Sequence, residues 1–65
     1  MLDGLKMCEF TVILDGKEVF KDVVYAKMEH EKVILRDVLG ESMQLGKCKI
    51  VEVDVNSTRL VLSRL

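Results

Sequence analysis

Cys8 carries the richest chemistry in this 65-residue chain. It lies in the stretch Met7-Cys8-Glu9-Phe10-Thr11-Val12, at the mouth of a first β-strand. A thiolate is a soft ligand. A main-chain amine beside it completes a compact chelate suited to a late transition metal such as Ni(II) or Cu(II). If the functional chain begins at Met7, Cys8 is its second residue, and Met7 offers the amine. If it begins at Met1, that nitrogen is a neutral amide, which binds metal only when deprotonated.

The other candidate ligands read differently. Cys48 opens an interior strand and reads as sheet-face packing. His30 sits at a hairpin tip, where a lone histidine is solvated. Met7, Met28 and Met43 form no spaced set and read as gap-fillers. No Cys-x-x-Cys and no His-x-x-x-His occurs, so a closed structural zinc site is not expected. Enzyme chemistry is not expected either. A nucleophilic cysteine needs a base, and the one histidine is on a turn. Carboxylates alternate with lysines at Lys17-Glu18, Lys27 and Glu29, and Glu31-Lys32, which is the pattern of a solvated sheet face. No glycine-rich phosphate loop is present.

A nucleic-acid module is the alternative reading. Small β-barrels bind single strands on aromatic platforms flanked by cations. Phe10 and Phe20 read as core, which leaves Tyr25 as the stacking group. Lys47, Lys49, Arg59 and Arg64 form a basic patch if the last two strands are neighbours. The interleaved Glu52 and Asp54 weaken it.

Composition bounds both readings. The chain has room for one domain. Its net charge is −1 and its charged residues, 32% of the chain, are spread rather than blocked. That balance disfavours a dominant attraction to nucleic acid or to anionic membranes. No apolar run is long enough to span a bilayer. Asp3, Gly4 and Lys6 interrupt any signal-peptide core, so the expected location is the cytoplasm, with reduced thiols. Hydrophobic residues make up 49% of the chain, more than so small a body can hide. The excess predicts a subunit interface, most simply a two-fold homodimer, at edge strands or on the second strand around Val23, Val24 and Tyr25.

The elements that must position these residues are strands. No proline interrupts the pattern, and Val, Ile, Thr and Phe fill short runs between turn residues. The runs are Cys8 to Leu14, Lys17 to Glu29, Lys32 to Asp37, Glu41 to Leu45, Lys47 to Val55 and Arg59 to Ser63. Asp15-Gly16 predicts a tight type I′ hairpin. The second run is long enough to need a bend, expected at Lys21-Asp22. In the first run Phe10, Val12 and Leu14 share a face. In the fifth, Lys49, Val51, Val53 and Val55 share one face, and Cys48, Ile50 and Glu52 the other. The fold class predicted is all-β: a small five- or six-stranded meander curled into an SH3/Sm-like barrel over residues 7–65, with residues 1–6 as a flexible N-terminal extension.

With the strands placed, the chain resembles the small CooT-like nickel-binding family, also labelled a predicted RNA-binding family. The resemblance begins with Met-Cys-x-Phe-Thr-Val at Met7 to Val12. It continues through Asp15-Gly16-Lys17-Glu18-Val19, Lys21-Asp22-Val23-Val24 and Val33-Ile34-Leu35-Arg36-Asp37-Val38-Leu39-Gly40-Glu41. It ends with Gly46, Ile50-Val51-Glu52-Val53-Asp54 and Arg59-Leu60-Val61-Leu62. It implies a β-barrel homodimer that binds Ni(II) through Cys8, with Met7 beside it. It further implies a metallochaperone with a nickel-enzyme maturation partner. In the family pattern the cysteine is second in the chain; here it is eighth.

Overall fold

Six β-strands and no helix form among residues 8–65, the part of the chain that the computed structural model describes. They are β1 (Phe10–Leu14), β2 (Lys17–Glu29), β3 (Lys32–Asp37), β4 (Ser42–Gly46), β5 (Cys48–Asp54) and β6 (Arg59–Arg64). The expected extension at residues 1–6, and Met7, lie outside the described residues.

Turn chemistry sets the strand boundaries. Asp15 and Gly16 both have positive φ, 55° and 75°, as the type I′ hairpin requires. Gly40, at φ 88°, lets the β3–β4 connection reverse. There Asp37 Oδ1 accepts hydrogen bonds from the Leu39 and Glu41 N–H groups, at 3.0 and 2.9 Å. Asp22 adopts φ 59° inside β2, and the β1–β2 register slips on either side of Val12. The expected bend is therefore real. The first half of β2 pairs with β1 and the second half with β3.

The six strands make one mixed sheet in the order β4-β3-β2-β1-β6-β5. β1 to β4 form an antiparallel meander. The β5–β6 hairpin then joins the other side of β1, with β6 parallel to it. The expected simple meander is corrected by this crossover. Its cause is visible in β1, which buries Val12 and Leu14 and so needs a neighbour on both sides. β4 and β5 sit at opposite edges, yet Lys47 alone separates them. In a flat sheet those edges would lie about 24 Å apart at about 4.8 Å per strand. The sheet must curl. The Cys48 N–H donates to the Glu31 carbonyl at 3.1 Å, which fixes the corner. No ladder joins β4 to β5, so the sheet is curled but open rather than a closed barrel. A one-residue link is too short for the two-residue reversal that would pair them.

The curl encloses Val12, Leu14, Val23, Val33, Leu35, Cys48, Leu60 and Leu62. Phe10, Val19, Phe20, Leu45 and Ile50 pack against them, half-buried. One facing pattern differs from expectation. Ile50 opposes Leu62 and Val53 opposes Leu60, with Val51 as the extra residue of a bulge. The bulge reverses the alternation, so Val53 shares the face of Ile50 and Glu52 does not.

Two outcomes test this packing. Leu35 on β3 is fully buried in the core. Leu35→Ala should lower stability by about 2–5 kcal/mol, enough to unfold much of so small a domain. The urea midpoint checks this. Thr58 holds φ 52°, a conformation that β-branched residues strongly resist. Thr58→Asn should raise the urea midpoint by the equivalent of about 0.5–1 kcal/mol, with unchanged m. A lowered midpoint would refute the strain at Thr58.

Candidate metal centre

Cys8 lies two residues before β1 and is exposed. Phe10 pairs with Val23, so the chain enters β1 at the level where β2 presents Val24 and Tyr25. An apolar cleft of about 230 Å³ opens there, lined by Phe10, Val23, Val24, Tyr25, Ala26, Ile50, Val53 and Leu60. Its floor is core. Its rim includes Val24, Tyr25 and Val53, with relative exposures of 37%, 40% and 56%. Val23, named with Val24 and Tyr25 as an interface residue, is 2% exposed and forms the cleft wall.

The curl of the sheet creates this cleft. β5 folds back toward β3, and a bulge at Val51 interrupts its pairing with β6. The inner faces of β2 and β5 then stand open at the β1 end. Val53 belongs to the cleft and was misplaced by strict alternation along β5. Three alternating valines at Val51, Val53 and Val55 gave no sign of the bulge.

The donor set is small. Among the described residues no three His, Cys, Asp or Glu side chains converge on one point. Cys8 offers one thiol, and the candidate nitrogen on Met7 lies outside the described residues. Cys48 and Cys8 are both free. Cys48 is buried at the β4–β5 corner, where its Sγ–H donates to the Gly46 carbonyl at 3.3 Å. It is a packing residue, as the sequence suggested, and far from solvent chemistry. His30 occupies the β2–β3 hairpin tip with φ 59° and is exposed.

The four residues of the nucleic-acid alternative do not form one surface. Tyr25 is stacked by Arg36, whose guanidinium carbon lies 4.5 Å from the ring centroid. Lys47 forms the β4–β5 corner. Lys49 opposes Ser63, whereas Arg59 opposes Asp54 at the other end of the same hairpin, about 15 Å away. Asp54 accepts hydrogen bonds from the Asn56 and Ser57 N–H groups. Those to Ser57 chiefly hold its carboxyl below the usual carboxylate range, and the Arg59 charge adds to the effect. Arg64 is occupied elsewhere: its Nε donates to Asp15 Oδ2 at 2.6 Å, which raises the guanidinium pKa further. The Tyr25–Arg36 pair was not anticipated. It was available from the hairpin at His30-Glu31, because the register Glu29↔Lys32 carries through to Tyr25↔Arg36.

An exposed thiol two residues before Phe10, which lines an open apolar cleft, is therefore the distinctive chemical feature of the domain. No curated protein matches the chain. A family model does: the one described as "CO dehydrogenase accessory protein CooT" matches residues 7–63, nearly the whole chain, and its first residues are Met7 and Cys8. The chain belongs to the CooT family of CO dehydrogenase accessory proteins.

Proposed function

We propose that the chain is a homodimeric Ni(II)-binding protein that serves the maturation of a nickel enzyme of the CO dehydrogenase type. The observation that carries this reading is the exposed Cys8 thiol two residues before Phe10, which lines the apolar cleft. The family description supports the client, since CO dehydrogenase is a nickel enzyme. It names an accessory protein, and the proposed role is delivery rather than catalysis. The proposed place of work is the cytoplasm, where an unpaired thiol stays reduced. Among the described residues no helix is long and apolar enough to cross a membrane.

The chemistry follows from the incomplete donor set. Ni(II) accepts thiolate and nitrogen ligands in a square plane. One chain supplies Cys8 and a main-chain nitrogen next to it. Two chains related by a two-fold axis supply four ligands. The cleft rim at Val24, Tyr25 and Val53 gives apolar surface for the second subunit to cover. An amine on Met7 is a better ligand than the amide present when residues 1–6 precede it, since the amide must first lose a proton.

Ni(II) titration followed by the thiolate-to-metal charge-transfer band tests the site. A protein starting at Met7 should bind more tightly than the 65-residue chain. Cys8→Ser in the same protein should weaken binding more than about tenfold. Equal affinity with and without the thiol would sink the site. Sedimentation equilibrium tests the assembly. The expected species is a dimer, and Val24→Glu, at a position already partly exposed, should raise the dissociation constant about tenfold or more while the fold persists. A monomer at high micromolar concentration would defeat the dimer.

A further inference from the structure

The ladders give β2, β3 and β4 a second, outward face. Val33 and Leu35 point into the core, so Lys32, Ile34 and Arg36 point out. Their partners Glu29, Lys27 and Tyr25 on β2, and Gly46, Gln44 and Ser42 on β4, share that face. Three cations stand there against one carboxylate, in a chain whose net charge is −1. Glu29 pairs with Lys27 at 3.7 Å. Lys32 and Arg36 form no salt bridge among the described residues. Lys32 reaches only the Gln44 side-chain oxygen, at 3.5 Å. The Arg36 guanidinium lies over the Tyr25 ring and makes no side-chain hydrogen bond or salt bridge among the described residues.

We infer that this face docks a carboxylate-bearing segment of a partner protein. Lys32 and Arg36 are four residues apart on one strand, about 13 Å. Two carboxylates four residues apart on an extended segment match that span, with apolar contact to half-buried Ile34 between them. The planar Arg36 edge suits bidentate capture of a carboxylate. A protein segment fits better than RNA. Glu29 and the negative net charge oppose a polyphosphate, and one side of the Tyr25 ring is already covered. Lys32, Ile34 and Arg36 line no part of the cleft, and of the residues on this face Tyr25 alone borders both surfaces.

The test uses fluorescence anisotropy at low ionic strength with the full chain. The probes are a labelled decaglutamate peptide and a decauridylate carrying the same label. The expected result is binding of the peptide in preference to the RNA. The affinity should drop about tenfold or more in the double variant Lys32→Glu, Arg36→Glu, and by less in Lys32→Gln, Arg36→Gln. Lys49→Glu on β5 and Cys8→Ser should leave peptide binding unchanged, which separates this surface from general charge and from the nickel site. Absence of peptide binding, equal loss in Lys49→Glu, or preference for decauridylate would each overturn the proposal. Far-ultraviolet circular dichroism of each variant confirms that the sheet is intact.

Discussion

A single residue joins the two edges of the sheet. Lys47 stands between the last residue of β4 and the first of β5, and two peptide steps cover at most about 7 Å. Everything else in the fold accommodates that distance. β2 bends at Asp22 so that its two halves can belong to opposite walls. Cys48 is drawn inside at the corner, where only a small side chain fits between Glu31 and Gly46. The core consists of what the curl can enclose, which for a chain of this length is a thin layer of aliphatic side chains. No aromatic ring is fully buried, so the domain depends on branched aliphatic packing throughout.

The same curl divides the surface into unlike regions. The inner faces of β2 and β5 separate at the end where β1 begins, leaving an apolar mouth near the exposed thiol. The outer face of β2, β3 and β4 is polar, and its cations are only partly matched. The two regions meet at β2, which contributes to both: Val23, Val24 and Ala26 line the cleft, Lys27 and Glu29 face outward, and Tyr25 borders both. The bend and bulges of β2 let one strand do this.

Much of this was legible in the residues. Asp15-Gly16, His30-Glu31 and Gly40 are strong local signals, and strands β2 and β3 follow from them with the bounds expected. Alternation put Val12 and Leu14 on one face, and that face is the core side of β1. What the sequence did not disclose depends on nonlocal geometry. The placement of β6 beside β1 comes from the need to cover both edges of a buried strand, which no local pattern reports. The bulge at Val51 moved Val53 to the cleft, because a bulge in a run of valines changes facing without changing composition. The thiol at Cys8 stood out by chemical type alone, whereas its neighbour the cleft is assembled from four strands and has no sequence signature.

The parallel pairing of β1 with β6 has a kinetic consequence. Thr11 aligns with Arg59 and Leu14 with Leu62, so the central strand of the sheet acquires its second neighbour from the opposite end of the chain. The hairpins at Asp15-Gly16 and His30-Glu31 close within microseconds, but this contact spans most of the polypeptide. On the ribosome, β1 emerges early and its free edge must wait for β6, the last strand made. The nascent chain thus presents its amino-terminal thiol and an unpaired apolar strand together, before the sheet exists to shelter either. Cooperative folding of the sheet is deferred until β6 has been made.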